Sequence, residues 1–395
     1  MSRTDSTNNG DVTSYVDSRS INDFSTMIGN RTSSASSKIA LAGHDGMKNA
    51  WAIRIATDEV LETSVQLGVE NIIFYGGPGV DLLPASDVPH GKDRNTYEHY
   101  VALRERVESY GLTIAGCENG FISNPRFYDI AFGGPKRDEL IDLVAAEITD
   151  MGRAGIPILA YNWMPNSVWR SGGTRIRGGT DVTAWDNAAR DQSSIMYISD
   201  ETQALLAEYD SSAENMWECL EYWIKTITPV AESAGIRLGI HPDDPPVPEL
   251  GGVARLLGSF DACKRLTSIV DSPHNGIEFC QGTFSEMEDA RNGGIYDMIK
   301  YFAERDKVLY VHFRNVSSTL PSFNEEFINT GYVDMKRAME TYAAAGYEGV
   351  FMDDHCPEII GDTAFPGNWG GYRSRIFAQG YIQAMLEAVT GKRPD

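Results

Sequence analysis

The chain contains 395 residues, of which 42% are hydrophobic and 23% are charged. A chain of this length and apolar content can bury a sizeable core, which excludes disorder over its whole length. Its 34 lysines and arginines are outnumbered by 56 aspartates and glutamates, and the resulting net charge of −22 opposes binding to nucleic-acid phosphates or to an anionic membrane surface. We therefore expect a small-molecule or protein partner, with no nucleic-acid or membrane partner.

The composition also bears on the cellular compartment. The N-terminal segment has no apolar run, and no window holds the roughly 18 apolar residues that a membrane span needs. The five cysteines are odd in number and scattered along the chain, which argues against a disulfide framework. We expect a soluble, cytoplasmic protein with reduced thiols.

Residues 1–45 are rich in Ser, Thr, Asn and Asp and show no hydrophobic periodicity. This composition is typical of a flexible segment that cannot bury a core. We predict a flexible N-terminal extension over 1–45, followed by one catalytic domain over 46–395.

From residue 46 onwards, strand-like and helix-like segments alternate. Short apolar or β-branched runs predict strands at 50–55, 71–75, 112–117, 157–163, 236–241, 267–271, 308–313 and 348–353. Helical patterns lie between them, for example at 57–68, 137–155, 213–235 and 333–346. Eight such units predict an α/β fold of the (β/α)8 TIM-barrel type. A doubly wound open sheet is the alternative, and the lack of a dinucleotide-binding fingerprint after the first strand weakens it.

The segment 164–235, between the fourth and fifth strands, is too long for a simple crossover. It includes the Gly- and Arg-rich stretch SGGTRIRGGTD at 171–181. Long loops in compact domains are usually functional, and this one leaves the end of a barrel strand at which active sites lie. We predict a loop insertion next to the active site.

Four potential metal ligands follow the last four predicted strands. His241 follows the fifth strand, Cys280 lies beyond the sixth, His312 ends the seventh, and Asp354 follows the eighth. Since they are about one βα unit apart, they should converge on one rim of the barrel. Two imidazoles, a thiolate and a carboxylate suit Fe(II), Mn(II), Co(II) or Zn(II) better than Mg(II). A lone Cys or His is more often structural, but this does not explain four potential ligands at successive strand ends.

These stretches resemble the mannonate dehydratases, a family of the xylose-isomerase-like TIM-barrel superfamily. The similar motifs are YNWMP at 161–165, HPDDPP at 241–246, DSPHNGIEFCQGT at 271–283, HFRNV at 312–316, GYVDM at 331–335, DDH at 353–355 and GGY at 370–372. The resemblance implies a hydro-lyase that converts D-mannonate to 2-keto-3-deoxy-D-gluconate in hexuronate breakdown. It also implies a homo-oligomer, either a dimer or a tetramer.

Carried onto matching positions, the resemblance implies that His241, Cys280, His312 and Asp354 bind the metal. Four protein ligands leave two positions for substrate on a six-coordinate ion, which favours Mn(II) or Fe(II). The implied proton-transfer groups are His355 and Tyr372, although His355 could instead be an orienting hydrogen-bond partner. The residues predicted to bind the substrate are Trp169, Arg170, Arg314 and Asn315, since an arginine fork suits a carboxylate.

Two further points leave alternatives open. The chain departs from the family pattern at Asp353, Cys356 and Asn324, so a related aldonic acid could be the substrate. A sugar isomerase or epimerase of the same superfamily is another possibility, but such enzymes use Glu, Asp and His ligands, so Cys280 counts against it. A non-catalytic binding protein on a degenerate barrel is disfavoured because both the ligand and the base candidates are present.

Overall fold

Eight parallel strands close into a barrel in the computed structural model, which describes residues 46–78, 94–192, 194–195, 200–363 and 370–392. The strands are β1 Lys48–Ile53, β2 Asn71–Tyr75, β3 Thr113–Glu118, β4 Ile158–Asn162, β5 Arg237–His241, β6 Asn275–Cys280, β7 Val308–His312 and β8 Val350–Met352. Each strand pairs with its neighbour in the chain, and β1 pairs with β8 to close the ring. The predicted (β/α)8 barrel is confirmed. The extension predicted over 1–45 lies outside the described residues, so the proposed division of the chain stays a prediction.

Helices connect the strands and pack against their outer faces. They are α1 Asp58–Gln66, α2 Tyr97–Glu108, α3 Tyr128–Phe132, α4 Arg137–Arg153, α5 Asp200–Leu206, α6 Ala213–Ala234, α7 Phe260–Ile269, α8 Gln281–Glu286, α9 Gly294–Ala303, α10 Met335–Ala344 and α11 Tyr372–Thr390. Short 3₁₀ turns lie at Phe121–Ser123, Pro125–Phe127, Arg177–Gly179, Asn187–Gln192 and Glu288–Gly293. No helix in the described part of the chain combines the length and the apolar character that crossing a membrane requires.

Capping residues in the sequence explain where several of the helices begin and end. The side chains of Thr57, Ser259 and Asp334 accept a backbone N–H in the first turn of α1, α7 and α10. These contacts satisfy donors that a helix N-terminus would otherwise leave without a partner. Gly235 takes a left-handed φ of 71° directly after α6, a conformation that glycine adopts without a Cβ penalty and that ends the helix before β5.

The sixth strand differs from the prediction. The apolar run at 267–271 was expected to be a strand, but residues up to Ile269 form the end of α7. Cys263, Leu266 and Thr267 are the buried residues of this helix, so the run was part of an amphipathic helical face. The true strand, β6, is buried at all six positions, and its Asn275 and Glu278 concealed it from a search for apolar runs. The other seven predicted strands overlap observed ones.

The barrel interior is filled by a compact set of mostly small side chains. It contains Ala50, Ala52, Ile73, Ala115, Ile158, Ala160, Leu309, Tyr310, Val350 and Met352. Gly276 in β6 leaves the space that Leu309 occupies, since a Cβ there would overlap Leu309 and lie 2.7 Å from the Lys307 carbonyl oxygen. Tyr310 donates a hydrogen bond of 2.9 Å to Glu118, which joins this apolar core to the polar residues at the carboxyl ends of the strands.

The predicted insertion after β4 contains short antiparallel strands. Trp169–Arg170 pairs with Ser194–Ile195, and Gly172–Arg175 pairs with Asp181–Asp186. The last of these also pairs with Ser322–Asn324 from the loop after β7, and we call these five short strands the cap. A small apolar core holds the cap to the loop after β5, which contains the short strands Glu249–Leu250 and Val253–Ala254. This core consists of Trp169, Trp185, Val247, Leu250, Val316, Leu320 and Phe323.

Alanine substitutions at two glycines should change the free energy of unfolding in opposite directions, because one glycine is tightly packed inside the barrel and the other is exposed. Gly276→Ala forces a methyl group against Leu309 and should destabilise the fold by about 1–3 kcal/mol, the usual cost of overpacking. Gly380→Ala, at an exposed position of α11 with open space around it, should stabilise the fold by roughly 0.5–1 kcal/mol through helix propensity. Urea unfolding of both variants and of the unchanged protein measures the two shifts. Equal effects of the two substitutions would contradict this description of the barrel interior.

Candidate functional site

A cavity of about 260 Å³ opens at the carboxyl ends of the barrel strands. Each of the eight strands, or the loop directly after it, contributes to its wall. The contributing residues include Arg54, Tyr75, Glu118, Asn119, Tyr161, Asn162, His241, Glu278, His312, Asp354 and His355. Met164, Ser167 and Val168, at the start of the insertion after β4, also line it. This is the end of a TIM barrel at which catalytic residues are found.

The structure brings together the four predicted metal ligands. Donor atoms of His241, Cys280 and His312 all lie within 4.8 Å of one another. The carboxylate of Asp354 joins them, with Oδ2 at 3.9 Å from Cys280 Sγ and 3.5 Å from His312 Nδ1. His241 Nδ1 donates a hydrogen bond of 2.6 Å to the carbonyl oxygen of Pro242. This contact fixes the ring and leaves Nε2 as its donor atom for a metal.

The charges around the cluster favour ionised ligands. Burial raises the pKa of the Cys280 thiol, but Arg314 and His241 outweigh burial and bring it well below its usual range. Burial likewise opposes ionisation of Asp354, yet His355 and His312 hold the pKa of that carboxyl well below its usual range. Burial alone would lower the pKa of His241, whereas Glu278 and Cys280 raise it to about 10. The negative charge that attracts a proton to His241 attracts a metal cation as well.

The residues present fit a divalent metal. The cluster offers two imidazoles, a thiolate and a carboxylate, which suits a transition metal. Within the described part of the chain, His312 Nδ1 and both carboxylate oxygens of Glu278 are buried without a hydrogen-bond partner. Buried polar atoms of this kind are rare in folded proteins, and a bound cation would supply the missing partner.

Arg314 lies beside this cluster and directs all its N–H groups to protein acceptors. Nε donates to Asp354 Oδ2 at 2.7 Å, and the two terminal nitrogens reach Glu286, Glu325, Asp244 and Thr283 at 3.0–3.2 Å. The side chain is 2% exposed. Burial raises the pKa of Glu286 well above its usual range, with Asp244 adding to the effect. Arg314 therefore ties the loops after β5, β7 and β8 to α8, the helix that follows β6.

Arg170 extends the same buried network into the cap. It forms a two-pronged ion pair with Asp244, and its Nη2 lies 2.8 Å from Glu325 Oε1. The side chain is buried, and it also donates to the carbonyl oxygen of Trp169. The cap is thus fixed to the barrel by charge as well as by its apolar core.

The sequence matches a known enzyme family over almost the whole described chain. The family described as D-mannonate dehydratase (UxuA) matches residues 47–393. The chain belongs to the D-mannonate dehydratase family. It is 32% identical to the mannonate dehydratase of Streptococcus pneumoniae (strain 70585) over 338 residues, which cover 78% of this chain and 87% of the relative. The mannonate dehydratase of Streptococcus suis (strain 05ZYH33) matches with the same identity and coverage.

Solved structures show the same relationship. The crystal structure of mannonate dehydratase from Streptococcus suis serotype 2 superimposes with a TM-score of 0.73 at 29% identity, covering 88% of this chain and 97% of the other. A xylose isomerase domain protein from Planctomyces limnophilus gives a TM-score of 0.52 at 13% identity, with 88% and 99% of the two chains covered. The second likeness shows the barrel fold alone. Membership of the D-mannonate dehydratase family makes the chain a sugar-acid dehydratase, which is a carbon–oxygen lyase.

Three of the four predicted substrate-binding residues do not line the cavity of this family member. Asn315 donates to the carbonyl oxygen of Val333 and accepts the backbone N–H groups of Val316 and Val333. Trp169 donates to the carbonyl oxygen of Asn166 and packs in the apolar core of the cap. Arg170 is held in its ion pairs. Arg314 does line the cavity, but its N–H groups are all donated to acceptors of the protein. The geometry thus gives these four residues structural contacts, and direct substrate contact stays a prediction.

Tyr372 lies at the start of α11 and is not among the described residues that line the cavity. Burial raises the pKa of its hydroxyl, and the carboxylate of Glu59 in α1 contributes to the increase. The hydroxyl therefore faces α1 in this structure. The proton-transfer role that the family resemblance implies for Tyr372 stays a prediction without support from the described geometry.

His355, by contrast, lines the cavity and has a fixed orientation. Its Nδ1 lies 2.9 Å from Oε1 of Glu325, and its Nε2 lies 3.7 Å from Oδ1 of Asp354. Burial opposes ionisation of Glu325, but Arg314 and His355 lower its pKa to about 2. Glu325 is an anion that accepts the Nδ1–H of His355. The pair has the geometry of an imidazole oriented by a carboxylate.

Sequence reasoning missed Glu325, Glu118, Glu278 and Arg54. The sequence did contain a signal for Glu278, because this residue is a charged side chain between apolar ones. It is two residues before Cys280 and therefore lies on the same face of β6. Glu118 is the last residue of β3, one residue beyond the predicted strand. Glu325 lies in a loop in which spacing gives no information. Burial raises the pKa of Glu278 to about 7, with a contribution from the Glu118 carboxylate.

Proposed function

We propose that this protein dehydrates D-mannonate to 2-keto-3-deoxy-D-gluconate with Mn(II) or Fe(II) bound by His241, Cys280, His312 and Asp354. The observation that carries the proposal is the clustering of these four donors, three of which line the cavity, in a chain of the D-mannonate dehydratase family. When bound, the divalent metal supplies a Lewis acid for the negative charge that develops on the substrate carboxylate. We further propose that the enzyme works in the cytoplasm as a dimer or tetramer.

His355 is the group that moves the proton. Because its Nδ1–H is donated to Glu325, the imidazole takes up or gives up a proton at Nε2. With Nε2 unprotonated, the ring can take the proton from the carbon beside the substrate carboxylate, and the imidazolium that forms can then give a proton to the leaving hydroxyl, which departs as water. Glu325 stabilises the imidazolium that forms, and Arg170 and Arg314 hold Glu325 in place.

Arg54 binds the substrate carboxylate. It follows β1, lines the cavity, and lies over the ring of Tyr75 at 5.5 Å from the ring centroid. Its side chain is exposed, and no carboxylate of the described residues lies within ion-pair distance of its guanidinium. A free, planar guanidinium offers a two-pronged hydrogen bond to a carboxylate. Arg314, the other arginine that lines the cavity, has no N–H left to offer.

The direct test of the function is product formation from a panel of sugar acids. Purified protein supplied with Mn(II) should convert D-mannonate to a 2-keto-3-deoxy product, measured by a colorimetric assay for 2-keto-3-deoxy acids. Other hexonic acids in the panel should react more slowly. Faster turnover of another aldonic acid would assign the enzyme to that substrate, and interconversion of aldoses and ketoses without dehydration would contradict the proposal.

His355→Asn tests the proton-transfer role. Asparagine can keep a hydrogen bond to Glu325 but cannot carry the proton, so kcat should fall by about 10² to 10⁴-fold, the usual contribution of one general acid or base. KM should change little, since the lost interaction is made in the transition state. If His355 only orients a metal ligand, metal affinity should fall by roughly 10 to 100-fold instead. Recovery of near-normal kcat at saturating Mn(II) would then remove His355 from the catalytic residues.

Arg54→Gln tests the carboxylate contact. Loss of a charge-assisted hydrogen bond of about 1.5–3 kcal/mol corresponds to a rise in KM for the sugar acid of roughly 10 to 100-fold. Arg54→Lys keeps the charge and should lose less. Arg126→Gln is the matched control, because Arg126 also lies 5.5 Å from an aromatic centroid, that of Phe127, and is not among the residues that line the cavity. Unchanged KM in Arg54→Gln would exclude this contact.

A further inference from the structure

A second group of potential ligands meets at His312, on the side of its ring that faces away from Asp354. His312 Nε2 lies 2.8 Å from Glu278 Oε1 and 3.1 Å from Glu118 Oε2. Donor atoms of these three residues lie within 4.8 Å of one another. The other ring nitrogen, Nδ1, is the one that faces Asp354 at 3.5 Å. The imidazole thus lies between two sets of anionic groups.

Glu278 is the unusual member of this group. Its side chain is 0% exposed, and neither carboxylate oxygen has a hydrogen-bond partner in the described part of the chain. The 2.8 Å approach to His312 Nε2 is therefore a contact outside hydrogen-bond geometry. His312 Nε2 is at ion-pair distance from Glu278 and from Glu118, so two carboxylates share one imidazole, and a buried carboxylate that is not fully compensated is costly. The carboxylate of Glu118, 15% exposed, adds negative charge beside it, while Tyr310 donates to Glu118 alone.

We propose that Glu118, Glu278 and Nε2 of His312 bind a second divalent cation beside the one proposed at Cys280. His312 then bridges the two cations as an imidazolate, and the ring proton that Nε2 donates to Glu118 is released to solvent when the second cation binds. Two carboxylates and an imidazole form a harder ligand set than one that contains a thiolate, and suit Mn(II) or Mg(II). The cation provides the partner that Glu278 lacks and compensates the charge of both carboxylates. It also places positive charge in the wall of the cavity, since Glu118, Glu278 and His312 all line it. This site goes beyond the proposed reaction and does not depend on the identity of the substrate.

Counting bound ions tests the proposal. Full-length protein, stripped of metal with a chelator, is dialysed against Mn(II), and the bound metal is measured by mass spectrometry. We expect two Mn(II) per chain in the unchanged protein and one in Glu278→Gln and in Glu118→Gln. Glu147→Gln is the matched control, because Glu147 is a buried carboxylate outside the cavity that bonds to Tyr100 and Asn95. It should keep two ions.

Co(II) identifies which ion is lost, because a cobalt–thiolate bond gives a charge-transfer absorption band that oxygen ligands do not give. The band should persist in Glu278→Gln and vanish in Cys280→Ser, which should retain one ion. Circular dichroism checks that each variant is folded. If Glu278→Gln does not fold, the metal content of Glu118→Gln decides the question, because Glu118 is the more exposed of the two. One ion in the unchanged protein overturns the proposal, as do two ions in both glutamate variants. Neither result depends on turnover, so failure of the proposed dehydration is a separate outcome.

Discussion

The arrangement of the site depends on the buried guanidinium of Arg314. Its five N–H groups contact side chains from three loops and from α8, and one of these side chains, Asp354, is a candidate metal ligand. A buried arginine is tolerated only if its charge and its hydrogen bonds are matched. The requirement to match this one group sets where Asp244, Glu325 and Asp354 lie, and Glu325 in turn orients His355. The proposed metal ligand Asp354 and the proposed proton-transfer group His355 are thus positioned by the same cation.

Much of the fold, and the clustering of the candidate ligands, could be predicted because both follow from simple rules of barrel architecture. Strands that alternate with helices close into a barrel, and residues at the carboxyl ends of parallel strands share one rim. This rule brought together His241, Cys280 and His312 without any knowledge of their contacts. The sixth strand was predicted at the wrong place because a short apolar run has the same pattern at the end of a helix and in a buried strand.

The rest of the site could not be predicted because it depends on contacts between loops. Arg170 and Arg314 were expected to contact substrate, since an arginine near an active site has that capacity. The sequence does not show that Asp244 and Glu325 reach both of them. Arg54 was not singled out from the sequence for a related reason. Its proposed role depends on the fact that no carboxylate of the described residues lies within ion-pair distance, and the sequence does not show this. Whether an arginine is used by the protein or left for a ligand is a property of the folded state.

The ion pair between Arg170 and Glu325 joins residues 155 positions apart in the chain. Contacts of such long sequence separation form late in folding, because the entropy of closing a large loop must be overcome first. During synthesis the first half of the barrel leaves the ribosome with Arg170 but without Glu325, Arg314 or Asp354. A fragment that ends before β7 therefore carries an incomplete set of ligands and an arginine without one of its partners. The set of side chains around the cavity is therefore completed only when the last quarter of the chain, which contains His312, Glu325 and Asp354, has been added.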